Sequence, residues 1–297
     1  MSKLTQYAIV FIVLLSSNSI FSQEILEKVI ITKTVSQDWE LDSIDKKGTF
    51  RFVSYKPVYV TALRWTSRAN SKPTNDNPIY AATETDEQYN NIEAKFQISF
   101  KTKVMQGIFF GKGDLWVGYT QKAHWQVYNK KFSRAFRELN YEPEIILNFP
   151  VKFKLFTGDI RYIGVALNHQ SNGKDLPLSR SWNRVIFHAG YESDDWQVTF
   201  KPWIRIPDTE DENASITKTI GDGELDVSYH YLKHEFSLIA THSFETLKNG
   251  SFQLNYVFPI KGHLRGHAQI FNGYGETLVD YNHMQTTFGL GISFANW

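Results

Sequence analysis

Cysteine is missing from all 297 residues, so neither a disulfide framework nor a thiolate metal site is possible. Excess charge is missing too: 32 basic residues against 31 acidic ones leave a formal net charge of +1. Nothing in that balance suits a polyanionic partner, and nucleic acid binding is not expected. Long apolar runs are scarce. Beyond the first two dozen residues, no stretch approaches the roughly 20 apolar residues that a membrane-spanning helix needs. Low-complexity linkers and internal repeats are also lacking, so a single domain is the economical reading.

What is present begins at the N-terminus. Lys3 precedes an apolar core from Tyr7 to Leu15, then Ser16, Ser17, Asn18 and Ser19, with a small residue at Ser22 before an acidic stretch. This is the layout of a cleaved secretory signal peptide over residues 1–22, and the apolar run is too short for an anchor. Residues 23–50 mix charges with short apolar runs and are expected to form a periplasmic N-terminal arm.

From residue 51 to residue 297 the dominant signal is alternation. In 92-IEAKFQISFK-101, Ile92, Ala94, Phe96, Ile98 and Phe100 alternate with Glu93, Lys95, Gln97, Ser99 and Lys101. That period of two marks a strand with unlike faces. It recurs in 225-LDVSYHY-231, 253-QLNYVFPI-260 and 286-TTFGLGISF-294, separated by turn-forming stretches such as 207-PDTEDENAS-215 and 272-NGYGE-276. A soluble sandwich would also alternate. Here, however, the polar face carries charges strand after strand, which a packed core would reject, and aromatic residues gather near strand ends. The expected fold is all-β: a transmembrane antiparallel β-barrel of about twelve strands. Pro202, which lacks a ladder donor, is expected at a strand end or bulge.

The stretch 168-NHQSNGKDLPLSRSWNR-184 carries the candidate chemistry. Ile163, Val165 and Leu167 occupy the apolar parity of their strand, so they face lipid, and His169 and Ser171 continue that row. On the following strand Asn183 begins the row of Val185, Phe187, Ala189 and Tyr191. If the two strands form a hairpin, Asn183 comes near His169. A serine hydroxyl needs a base to remove its proton, histidine is the usual base, and an asparagine oxygen can fix the ring's tautomer. Set against this, polar residues at a barrel rim are common, and the spacing alone does not establish catalysis. His230 and His234, four apart on an alternating segment, suit a lumen or loop better than a metal, and His188 and Arg184 are expected in a network inside the barrel.

The same run resembles the signature of the outer membrane phospholipase A family of Gram-negative bacteria. The stretches 119-YTQKAHWQ-126, 137-RELNYEPE-144, 201-KPW-203 and 273-GYGETLVDYN-282 resemble that family in the same order. The resemblance implies a twelve-stranded outer-membrane barrel that hydrolyses the sn-1 and sn-2 acyl esters of phospholipids and lysophospholipids, depends on calcium, and acts as a homodimer. It makes Ser171 the nucleophile, His169 the general base and acid, and Asn183 the group that orients the imidazole. It implies Ca2+ held by the Lys174 carbonyl and the Ser179 side chain, with Ser133 completing the site from a partner subunit and Asp211 as a further acidic ligand. Gln121 would hydrogen-bond across the dimer interface. Lys174 stands where the family has arginine, and Asp175 lies one place earlier than its loop acid. A non-enzymatic barrel, either a channel or a structural protein, is the alternative reading. A soluble β-sandwich is more distant.

Overall fold

In the computed structural model the described residues are 33–77, 88–209, 211–262 and 264–294. The expected signal peptide and Trp297 lie outside them. Thirteen strands form one antiparallel sheet. They are β1 (Phe52–Ser54), β2 (Tyr59–Thr66), β3 (Ile92–Met105), β4 (Asp114–Trp125), β5 (Glu138–Leu155), β6 (Gly158–Ser171) and β7 (Ser181–Glu192), followed by β8 (Trp196–Ile206), β9 (Gly223–Tyr231), β10 (His234–His242), β11 (Gly250–Lys261), β12 (Leu264–Gly273) and β13 (Gln285–Ser293). Each strand from β2 onward pairs with the next, and β13 returns to pair with β2, from Ser293↔Tyr59 to Thr287↔Thr66. β1 and β2 lie against the same edge of β3, through Phe52↔Thr102 and Tyr59↔Gln97. They are two pieces of one wall strand interrupted near Pro57, so the wall is a closed barrel of twelve strands, as the alternation predicts.

The faces are inverted relative to a soluble protein. Along β3 the buried positions are Glu93, Lys95, Gln97, Ser99, Lys101 and Lys103, while Ile98 and Phe100 are exposed. Leu63, Ile145, Ile163, Leu167, Phe187, Ile204 and Leu290 are likewise exposed on neighbouring walls. This is the arrangement stable in lipid: closure lets the wall pair its own backbone donors and leaves no open edge, and the apolar parity meets the acyl chains. Pro202 lies within β8 where its pairing to β9 ends, at Pro202↔Gly223, and the β7 ladder skips it between Ile186↔Trp203 and Ala189↔Phe200.

The two ends differ. At one, strands turn over short segments such as 156–157, 193–195 and 232–233; at the other, the connections include 67–91, 126–137, 172–180, 207–222 and 274–284. The described part of the N-terminal arm adds no wall strand, yet it does not stand apart from the barrel. A one-turn helix, α1 (Val35–Asp38), is capped by Thr34 and followed by Trp39, which is buried against Trp116, Tyr162 and Tyr55 with ring centroids 5.6–5.8 Å apart. Lys101 reaches over the Trp39 ring at 3.5 Å, and the pairs Lys103–Glu40 (2.7 Å) and Arg161–Asp42 (2.6 Å) fasten the arm to the inner wall near the short turns. The inward charges of the wall give a polar, charge-bearing segment its partners, which is why residues 33–41 enter the lumen while most of 42–50 stays exposed. At the opposite end, parts of two long loops are buried. The short helix α2 (Ile216–Thr219) buries Ile216, and the segment 274–284 buries Leu278 and Tyr281.

Candidate active site

The site lies where β6 and β7 meet their connecting loop, at the long-loop end. Register places His169 opposite Asn183 and Ser171 opposite Ser181. On the other flank Ser171 lies opposite Tyr141, which in turn lies opposite Gln121 of β4. The sequence makes this hairpin turn where Asn172 and Gly173 interrupt the alternation, and Gly173 takes a φ of +63° that side chains rarely adopt. His169 is exposed, and Ser171 and Asn183 are half-buried. All three keep the parity of exposed Ile163 and Leu167, whereas Asn168 and Arg184, one residue away from this row, are buried in the lumen.

His169 Nδ1 is 2.8 Å from Asn183 Oδ1. An amide oxygen only accepts, so Nδ1 carries the proton in this contact and Nε2 keeps its lone pair. That leaves an accepting nitrogen beside a serine two residues on, facing the same way. His169, Asn183 and Ser171 therefore share one row on the outer surface of the barrel.

The loop 172–180 is pinned from within. Asn172 is buried, and its Oδ1 accepts from the N–H groups of Arg180 (2.9 Å) and Lys174 (3.3 Å), while its Nδ2 donates to the Leu178 carbonyl at 2.9 Å. Arg180 is fully buried and donates to the carbonyls of Pro177 (3.0 Å), Ser179 (2.5 Å) and Thr74 (2.9 Å). Burial works against its charge and lowers its pKa, and the converging carbonyls compensate. The Lys174 ammonium turns inward to the Arg137 carbonyl at 2.6 Å and the Glu138 carboxylate at 3.3 Å. Glu138, Asn172 and Arg180 escape a reading of the exposed row because they are buried behind the loop rather than on the outer face. Their signal was a charged or amide residue at inward parity inside the very stretches that resemble the family.

The remaining candidates separate. Ser133 lies on the 126–137 loop, where its carbonyl accepts from Trp125 Nε1 at 2.8 Å. Gln121 is half-buried on the outer wall and accepts from the Tyr119 hydroxyl at 3.1 Å. Asp211 is not free to meet a cation with both oxygens: one is ion-paired with Arg205 and the other accepts from the Asn213 N–H at 3.0 Å. Arg184 joins the internal network through Asn168 and Glu142, but His188 instead lies against the Trp39 and Tyr162 rings, because the arm fills the space beside it. His234 contacts the Tyr256 hydroxyl at 2.9 Å. Among the described residues no group of three His, Cys, Asp or Glu side chains could hold a metal. A site of main-chain carbonyl and hydroxyl oxygens is of a different kind, and hard cations accept it. The donors fit: Lys174 and Ser179 lie on the pinned loop that begins after Ser171, and the Lys174 ammonium is drawn away from the outer face.

Comparisons with known proteins identify the family. The sequence profile described as phospholipase A1 matches residues 35–294. The phospholipase A1 of Escherichia coli strain K12 is 38% identical over 200 residues, covering 67% of this chain and 68% of that protein. That of Klebsiella pneumoniae is 35% identical over 248 residues, 84% of each chain. Among solved structures, the outer membrane phospholipase A of Escherichia coli superposes with a TM-score of 0.75 at 33% identity, covering 84% of this chain and 94% of that one. The calcium-bound dimer of the Salmonella typhi outer membrane phospholipase gives the same TM-score at 32% identity, again over 84% and 94% of the two chains. With the profile matching residues 35–294 and the fold shared at 33% identity, the chain belongs to the phospholipase A1 family of outer membrane phospholipases.

Proposed function

We propose that this protein is an outer-membrane phospholipase that cleaves acyl esters of phospholipids through Ser171, His169 and Asn183, with calcium and in a dimer. The observation that carries the reading is the His169–Asn183 contact on the lipid-facing row, beside Ser171. Its support includes an Escherichia coli relative of the same fold whose active site contains an asparagine, known through an alanine variant, and a calcium-bound dimer of the Salmonella typhi relative.

In the proposed reaction His169 Nε2 takes the Ser171 proton as Oγ attacks the ester carbonyl carbon. The C–O bond to the glycerol oxygen then breaks, and that oxygen takes the proton from Nε2. Water repeats the sequence on the acyl-enzyme, releasing the fatty acid. Asn183 holds the ring and accepts from Nδ1–H while the imidazole carries charge. Calcium, when bound, supplies Lewis-acid polarisation of the carbonyl oxygen. The Lys174 carbonyl and Ser179 hydroxyl are the ligands proposed from this chain, with Ser133 entering from a second copy. Asp211, already paired with Arg205, is the weakest of the proposed ligands. Gln121, in the same transverse row as Tyr141 and Ser171 on the outer wall, is the residue proposed to hydrogen-bond with a partner barrel. Placement of the site on the outer wall lets the ester be attacked without drawing the lipid out of its leaflet. The lumen, filled by the arm at one end and by loops at the other, works against a passive channel.

The test is fatty-acid release from phospholipid–detergent micelles with calcium or with a chelator, for the wild type and Ser171→Ala. Activity is expected only for the wild type with calcium. Undiminished release by Ser171→Ala sinks the assignment, and crosslinking that finds full activity in a monomer removes the dimer from it.

A further inference from the structure

We propose that Glu138 is a positioning residue that holds the calcium-binding loop 172–180 in place from inside the barrel, through Asn172 and Lys174. The inference rests on the calcium-dependent reading above and states how that site is kept in shape. Glu138 opens β5 on the inward parity and has no exposed surface. Its carboxylate gathers donors from three segments. Oε1 accepts from Asn140 Nδ2 at 2.9 Å, from Asn172 Nδ2 at 3.2 Å and from the Val279 N–H at 3.2 Å. Oε2 is ion-paired with Lys174 Nζ at 3.3 Å. A carboxylate cut off from water must be met by donors, so these segments are tied together wherever the barrel is folded.

Two of those ties reach the proposed site. Asn172 directly follows Ser171 and bonds across the loop to Leu178 and Arg180 on either side of Ser179. Lys174, whose carbonyl is the proposed ligand, has its side chain anchored inward on Glu138 and the Arg137 carbonyl. Glu138 therefore sets the position of both loop ligands without touching either the reacting atoms or the cation. This arrangement also explains why lysine serves at position 174: what matters is a cationic anchor long enough to reach the buried carboxylate.

The geometry makes a prediction that simple charge effects do not. Were Glu138 and Lys174 felt by calcium only through their charges, removing the acid would weaken calcium binding and removing the lysine would strengthen it. Positioning requires both Glu138→Gln and Lys174→Met to weaken it, by roughly 10- to 100-fold as for other residues that orient metal ligands. The double variant should be no weaker than the worse single one. The measurements are calorimetric titration of the full chain in detergent micelles with calcium chloride, and the calcium midpoint of fatty-acid release in mixed micelles. Heat-modifiable migration on gels verifies that each barrel is folded. Both single variants weakened, with a non-additive double, supports the inference. Lys174→Met unchanged or tighter overturns it, and so does Glu138→Gln with a normal calcium midpoint and only a lower kcat. Should Glu138→Gln not fold, Lys174→Met decides alone, since its side chain is partly exposed. A wild type that works equally well in chelator would overturn the calcium reading, and this inference with it, before any variant is compared.

Discussion

Asn183→Ala removes the acceptor 2.8 Å from His169 Nδ1 and leaves the rest of the site in place. Between neutral groups that bond contributes about 1 kcal/mol. Once the ring has taken the serine proton it becomes charge-assisted and roughly twice as strong, so about 1 kcal/mol of it is present only in the transition state. Orientation adds to this, because His169 is exposed and no packed wall restrains its ring. A further cost of about 1–2 kcal/mol for lost alignment brings the total to about 2–3 kcal/mol, or roughly 30- to 150-fold in kcat. Stability should hardly change, since the pair lies at the rim and water replaces the lost partner at a cost below about 1 kcal/mol. The assay is micellar fatty-acid release at saturating calcium, paired with the temperature at which the barrel loses its folded gel mobility. A kcat within about threefold of wild type, or a fall in activity tracking a fall in folded barrel, would refute the argument.

Acid lability should originate in the long-loop network. Burial alone would raise the Asp280 carboxyl, but Arg137 beside it, with the Thr277 hydroxyl and Asn70 amide, holds it below the ordinary value; Arg64 and Lys95 overcome burial at Glu276 in the same way. A depressed carboxyl stabilises the fold above its unfolded pKa of about 4 and ceases to do so as pH falls through the lower folded value. Barrel stability should therefore drop on acidification below about pH 4, and less steeply in Asp280→Asn; a parallel drop in that variant contradicts the assignment. Trp39→Ala, emptying the aromatic contact between the arm and Trp116, should cost about 3–5 kcal/mol in unfolding titrations, and a loss under about 1 kcal/mol would mean that the arm does not fill the lumen. Ile163→Arg places a charge on the lipid face midway along β6 and should cost about 2–4 kcal/mol in refolding into bilayers, with no penalty arguing that this face does not meet lipid.

Period-two alternation determines a great deal without tertiary information. Because side chains on a strand point to opposite faces in turn, the parity of Ile163, Val165 and Leu167 already places His169 and Ser171 on the outer wall, and the run ending at Asn183 returns a third polar group to the same face. The inverted faces of β3, with Glu93, Lys95 and Lys101 inward, follow from the same rule. What alternation does not specify is which inward group meets which, because partners come from segments far apart in the chain. Asp211 looks like a cation ligand in an acidic loop, and only the fold brings Arg205 against it. His188 looks like a member of a polar network until Trp39 is found beside it. Glu138 looks like one more lumen charge until Asn172, Lys174 and Val279 converge on it. The barrel and the outward row of His169, Ser171 and Asn183 were legible because they depend on local geometry repeated along each strand. The arm in the lumen and the clamp behind the loop were decided by the tertiary structure, because a buried charge is stable only with the donors that a closed wall and its inward-folding loops bring to it.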